Sequence, residues 1–186
     1  MKMVKLSKEV LNKLARKGGV KSMSNLTYEE MNGVVLSILR TFLQKCVLIT
    51  ESSNRKTITL DDVKYTFDIL GRKLYTYDGN IPKCKPITAK KNTKNRYLKE
   101  IRYYQNQSDC LYIPKATFKR TVQAEIQDMK IYSVALDHLQ ATIETICVDL
   151  FEKANKLAIT HGKRTTVQPK DIHAVRNILG EYNILI

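Results

Sequence analysis

Acidic residues are scarce in this chain. Asp and Glu total 18 against 32 Lys and Arg in 186 residues, a formal charge of +14. Such an imbalance points to a polyanionic partner. The shortage is also local: Glu9 is the one acid among residues 1–25, which carry seven Lys or Arg, and residues 79–96 contain none. Long apolar runs are missing too. No stretch approaches the ~18 apolar residues of a bilayer span, and Arg40 and Lys45 break the most apolar segment. That disfavours a membrane and leaves nucleic acid. The opening MKMVKLSKEV lacks the apolar centre of a secretory signal, so a soluble, cytosol-made chain is expected. Cys46, Cys84, Cys110 and Cys147 show no CxxC spacing and no adjacent histidine pair. A zinc site is therefore not expected, and reduced thiols packed as small hydrophobes are. No Gly-rich phosphate loop is present, and no nucleophile accompanies a His–Asp pair, so neither enzyme activity nor a cofactor is implied.

What the chain does contain is helical periodicity. Ser7 followed by an apolar pattern to Arg16, then Gly18 and Gly19, predicts a short capped helix. From Leu26 to about Ser52, Met31, Val34, Val35, Ile38, Leu39, Phe42, Cys46 and Ile49 recur at helical spacing. Leu43, Val47 and Leu48 widen that stripe beyond one face. A helix of this length, about 40 Å at 1.5 Å per residue, needs a partner of similar length to bury it. Thr59 and Asp62 form a T-x-x-D capping signal for another short helix ending near Leu70 and Gly71.

Residues 79–96 read as a linker, with Pro82, Pro86 and the lysines Lys83, Lys85, Lys90, Lys91 and Lys94. The expected division is 1–78, the linker, and 97–186. The second part repeats the plan after an extra helix from Arg96 to Gln107. A short helix is expected from Lys115 to about Met129 and a long one from Tyr132 to Thr160. The latter carries a stripe of Leu136, Leu139, Ile143, Ile146, Cys147, Leu150, Phe151, Ala154, Leu157 and Ala158. A last short helix opens at Pro169, where a missing N–H costs nothing. Placing Asp62 on Asp171 also places Arg55 on Arg164, Thr57 on Thr166 and Ile58 on Val167, an internal repeat.

The fold class is therefore all-α, a short–long–short helical module used twice. If the long helices cross antiparallel, the first loop of each half meets the second loop of the other. Ile58 and Val167 then have β-branched geometry for brief strand pairs. Each loop pair gathers cations, Thr hydroxyls and backbone N–H groups, which are the groups that hold duplex phosphates. The N-termini of the short helices are expected to add a favourable dipole.

LARKGGVK (Leu14–Lys21), LTYEE (Leu26–Glu30), RKTITLDDV (Arg55–Val63) and GRKLY (Gly71–Tyr75) make residues 10–79 resemble core histone four. YLKEIRYYQ (Tyr97–Gln105), FKRTVQ (Phe118–Gln123), LFEKAN (Leu150–Asn155), KRTTVQPKDI (Lys163–Ile172) and Gly180–Glu181 make residues 97–181 resemble core histone three. The fusion resembles the histone doublets of large DNA viruses. The resemblance implies two tandem histone folds in a handshake, wrapping double-stranded DNA without sequence preference. It also implies a second copy and a further doublet or histone pair of the two-A/two-B type as partners, in a chromatin-like particle in a virion, viral factory or nucleus.

By the same resemblance, DNA-contact roles fall in the first half on Lys13, Arg16, Lys17, Lys21, Arg55, Lys56 and Thr57. In the second half they fall on Lys99, Lys115, Lys119, Arg120, Lys163, Arg164, Thr165 and Thr166. Leu157, His161, Arg164 and Asp171 match a self-association interface, and Tyr65 a docking site for a second histone pair. His138 reads as a structural or exposed residue. Two departures bear on function. Ser22 stands where histone four has a minor-groove arginine, and the loop between Met129 and Val134 offers no clear counterpart for that of histone three. Weaker wrapping is expected, since such arginines favour inward-facing narrow grooves. The linker stands where a long basic tail would precede the second fold, so tail-based marks are not expected. The alternative function is a histone-fold scaffold in a transcription complex.

Overall fold

A computed structural model describes residues 6–71, 95–107, 110–126 and 128–179. In the first half, helix α1 (Lys8–Lys17) leads through strand β1 (Ser22–Met23) into helix α2 (Asn25–Ser52). Strand β2 (Thr57–Ile58) and helix α3 (Leu60–Ile69) follow. In the second half, helix α4 (Arg96–Gln105) precedes α5 (Lys115–Ile126), β3 (Lys130–Ile131), α6 (Ser133–Thr160), β4 (Thr166–Val167) and α7 (Pro169–Leu179). An offset of 108 carries Ser22–Met23 onto Lys130–Ile131 and the 28 residues of α2 onto the 28 of α6.

Local signals account for the element ends. Ser7 accepts the Val10 N–H at the start of α1, satisfying one of the donors a helix start leaves open. At α3, Thr59 and Asp62 form a complete capping box. The left-handed position before β2 is Asn54 and the matching one before β4 is Lys163, with φ of 54° and 48°.

The long helices share one core. Met31, Leu39, Phe42 and Leu43 from α2 are buried together with Leu139, Ile143, Phe151 and Ala154 from α6. Phe42 also stacks on Phe67 of α3, ring centroids 4.3 Å apart. Each short helix reaches across: α5 packs on α2, α7 on α2 and α3 on α6. The expected handshake is therefore formed, within one chain. Cys46, Cys110 and Cys147 are buried. Burial pushes the Cys46 thiol up to about 12 and raises that of Cys147, so both behave as hydrophobes rather than nucleophiles. Cys84 lies outside the described residues, as do the linker lysines Lys83, Lys85, Lys90, Lys91 and Lys94 and the Gly180–Glu181 pair.

Three sequence expectations need correction. Helix α5 stops at Ile126 rather than Met129, because Lys130 and Ile131 are drawn into pairing with β2. Helix α4 starts at Arg96 as expected, with Asn95 as its N-cap in the left-handed region, but ends at Gln105 rather than Gln107. Finally, α2 is long and apolar enough to cross a membrane, with mean hydropathy 1.5 over an 18-residue window. Counting uninterrupted apolar runs overlooks this because a windowed mean tolerates Arg40 and Lys45. Half of that window is buried inside the protein, which accounts for its apolarity as core.

The extra helix has a place that periodicity did not foretell. It lies on α1 of the other half, where Glu100 accepts from Arg16 Nε at 3.0 Å. The loop leading to α5 is fixed by a buried carboxylate: Glu144 of α6 accepts the N–H groups of Tyr112 and Ile113 at 2.8 Å each. Gln140 adds an amide donor at 3.1 Å. Burial raises the Glu144 pKa, and these donors oppose the rise without cancelling it.

Candidate nucleic-acid interface

Two loop pairs sit at opposite ends of the antiparallel long helices. At one, β1 pairs parallel with β4, Ser22 opposite Thr166 and Met23 opposite Val167. At the other, β2 pairs parallel with β3, Thr57 opposite Lys130 and Ile58 opposite Ile131. Ile58 and Val167 are fully buried and anchor the pairs from beneath. Backbone bonds lock each pair to the following long helix. Ser24 N–H donates to the Val167 carbonyl at 3.1 Å, and Tyr132 N–H to that of Ile58 at 3.1 Å. The Thr27 hydroxyl reinforces the first by donating to the same Val167 carbonyl at 3.2 Å.

The second loops share a clamp. Asp62 accepts both Arg55 guanidinium nitrogens, at 3.0 and 2.6 Å. Asp171 accepts both from Arg164, at 3.0 and 2.5 Å. Each carboxylate also takes a backbone N–H, from Thr59 and Gln168 respectively, at 2.8 Å. Bidentate charge-assisted bonds of this kind are geometrically specific. Burial alone would raise the Asp62 pKa, but the Arg55 guanidinium and the Thr59 N–H and hydroxyl together hold it below the usual carboxylate value. Arg55 and Arg164 thus shape their loops and present only part of their charge outward. Lys56, Lys163 and Thr165 are exposed beside them, and Thr57 and Thr166 are half-buried on the strands.

The helix N-termini differ in how open they are to an anion. The first turns of α3 and α7 already hold acids, Asp61 and Asp62 in one and Asp171 in the other. By contrast, α2 and α6 start immediately after the first loops with no acid in the first turn and no side-chain cap. Their open N–H groups are placed to receive an anion. Each loop pair therefore joins the positive end of a long helix to the cations of a second loop.

The remaining expected residues divide. Lys21 is exposed next to Ser22. Lys99, Lys119 and Arg120 are exposed on α4 and α5, away from the strand pairs. Lys115 is exposed but bonds Asp137 and Ser133, at 2.8 and 3.1 Å. Arg16 is committed inward, to Glu100 and to the carbonyls of Val20 and Lys21. Lys17 lies over the Tyr112 ring, 5.5 Å from its centroid, and Lys13 is half-buried. Sequence reasoning missed Lys130. It is exposed at the position equivalent to Ser22, directly opposite Thr57, so the second first-loop does carry a cation. The signal was available: the 108-residue offset aligns KI with SM once the strand register is known.

The residues expected to serve protein contacts lie elsewhere. Leu157, His161, Val175, Ile178 and Leu179 line an open cavity of about 260 Å³ where α6 and α7 end, with Ile178 74% exposed. Arg164 and Asp171 brace the adjoining loop. On α3, Tyr65 and Ile69 are 57% and 61% exposed. His161 is exposed and Asp171 is tied to Arg164, so they do not form an acid–base pair. His138 is buried. Among the described residues no group of three or more His, Cys, Asp or Glu is placed to hold a metal.

Comparison with known proteins agrees with this geometry. Residues 93–178 match the core histone domain, the family model shared by histones two-A, two-B, three and four. The crystal structure of the histone from Methanopyrus kandleri is similar over 90% of this chain and 90% of that one, with a TM-score of 0.59 and 20% sequence identity. At that identity the likeness is one of fold. The chain holds two histone folds in one polypeptide, and the match to the core histone domain falls on the second of them.

Proposed function

We propose that this chain is a histone doublet, histone-four-like in residues 1–78 and histone-three-like in 97–186, that wraps double-stranded DNA into nucleosome-like particles. The observation that carries the reading is the pairing of each uncapped long-helix N-terminus with a cationic second loop, at both ends of one handshake. Phosphates are its natural ligand, and nothing in the loops selects a base. Lys21, Lys56, Thr57, Lys130, Lys163, Thr165 and Thr166 make the principal contacts, and Arg55 and Arg164 position the loops. Lys13, Lys17, Lys99, Lys115, Lys119 and Arg120 contribute along the flanking path, and Arg16 supports α4.

Two copies join through Leu157, His161 and the exposed ends of α6 and α7, with Arg164 and Asp171 bracing that surface. The Tyr65 and Ile69 patch docks a second doublet or histone pair. The resemblance to doublets of large DNA viruses makes viral genome packaging the setting. Lysine at one first loop and serine at the other give a looser hold on inward-facing minor grooves than two arginines would. Reconstitution on random-sequence duplexes of defined length, followed by nuclease digestion, tests the proposal. A discrete protected length, released at lower salt than a eukaryotic particle, is expected. Absence of any shift of random DNA at moderate salt contradicts it and favours a scaffold in a transcription complex.

A further inference from the structure

The internal repeat exposes an asymmetry in how the two halves are covered. The 108-residue offset carries Gly18 onto Ile126 and Val20 onto Asp128, and Val47 onto Asn155. On one side, the junction of the α1 end with the middle of α6 is occupied. There Asn155 donates to the Gly19 carbonyl at 3.3 Å, and Gln105 at the end of α4 approaches within 3.7 Å of where a Gly19 Cβ would stand. On the other side, no helix among the described residues covers the matching junction of α5 with α2. What remains is an open groove of about 530 Å³ lined by Val47, Leu48, Ile126 and Met129, with Glu51 and Asp128 at its rim. Leu48 is 65% exposed.

The charge of the two junctions is also inverted. The α4-covered side carries Lys17 and Lys21 where this side has Glu125 and Met129. Glu125, which lines the groove, is bound by Arg40 through two bonds of 2.9 Å. Glu51 and Asp128 are exposed, and DNA phosphates would be repelled here. An apolar floor two helical turns long with an acidic rim suits an amphipathic helix bearing cations.

We propose that this groove docks a basic amphipathic helix of a partner protein, in the place that α4 holds on the opposite side. The occupant lays Leu- or Ile-sized side chains against Leu48 and Met129 and sets Lys or Arg against Glu51 and Asp128. The groove adjoins the β2–β3 loop pair, Met129 directly preceding Lys130 and Glu51 bonded to the Asn54 N–H before β2, but none of its lining residues is among the proposed phosphate contacts.

A fluorescent peptide of residues 95–107, itself a basic helix in this fold, serves as the probe for the full-length chain. Saturable binding is expected from fluorescence anisotropy, and Leu48→Glu and Glu51→Lys/Asp128→Lys should each weaken it by about tenfold or more. All three positions are at the surface, and circular dichroism verifies that each variant is folded. Equal binding of a scrambled peptide overturns the proposal in favour of mere polycation attraction. Binding unchanged by Leu48→Glu overturns it, as does photo-cross-linking to the α1–α6 junction, which would mean exchange with α4. Failure of the peptide to bind also overturns it, including where the chain's own basic 72–94 segment already fills the groove. Loss of DNA wrapping with retained peptide binding would count against the proposed function alone.

Discussion

At the scale of single residues, the second loops put two demands on one short segment. Arg55 and Arg164 are drawn inward by Asp62 and Asp171, which leaves Lys56 and Lys163 to face outward. The position that turns the chain is left-handed, and in the second half a lysine fills it at φ 48°. A left-handed non-glycine residue costs roughly 1–2 kcal/mol, part of which glycine's own entropy would offset. Lys163→Gly is therefore expected to leave stability equal or up to ~1 kcal/mol higher, while lowering the salt slope of DNA binding by about 0.9 for one lost phosphate contact. Denaturant melts and binding titrations measure the two effects separately; loss of both would make Lys163 structural.

Asp62 gives a pH prediction at the same scale. Its folded pKa is depressed, so the unfolded chain binds more protons as pH falls through the carboxylate range, and stability is lost there. The contribution is fully present above the unfolded value of about 3.9 and disappears as pH falls through the folded one. Asp62→Asn should melt below wild type at neutral pH, with the gap closing under acid. Glu144 works in the opposite direction, its raised pKa making the folded state slightly less favourable as pH rises past the unfolded value. Comparing variant with wild type at each pH isolates the Asp62 effect. A gap that persists unchanged at acid pH contradicts the clamp.

At the scale of elements, glycines report where helices touch. Gly18 caps α1 against α6, and a Cβ there would stand 3.0 Å from both the Phe151 Cβ and the Val148 carbonyl. Gly18→Ala should cost about 1–3 kcal/mol through overpacking at a contact between the halves. Gly33 lies within α2, where a Cβ meets nothing within 4 Å, so Gly33→Ala should stabilise by about 0.5–1 kcal/mol. Chemical denaturation distinguishes the two, and equal effects would argue against the handshake contact.

Most elements were legible for simple reasons. A stripe from Met31 to Cys46 has one consistent period, and Ser7, Thr59 and Pro169 mark helix starts by local chemistry. Less legible was whatever depended on tertiary register. Brief strand pairs at Ile58 and Val167 were expected, but not their register, and Lys130 becomes a candidate contact only because that register sets it opposite Thr57. The inward turn of Arg16 depends on Glu100, 84 residues away. No local pattern encodes such partners.

At the scale of the whole molecule, the handshake fixes two cationic loop pairs and leaves apolar patches at the ends of α6, α7 and α3. His161→Ala or Ile178→Glu is expected to shift the chain from dimer to monomer in sedimentation equilibrium, with the DNA-facing loops intact. Unchanged assembly would remove that surface from the account. The central claim is that the two loop pairs bind duplex phosphates. Its most direct test is the slope of log affinity against log salt for a random duplex, in wild type and in Lys21→Ala/Lys56→Ala/Lys130→Ala/Lys163→Ala. Each lost contact should lower the slope by about 0.9, so the quadruple variant should fall by roughly 3–4 while melting as a folded protein. A folded variant whose slope matches wild type would contradict the claim.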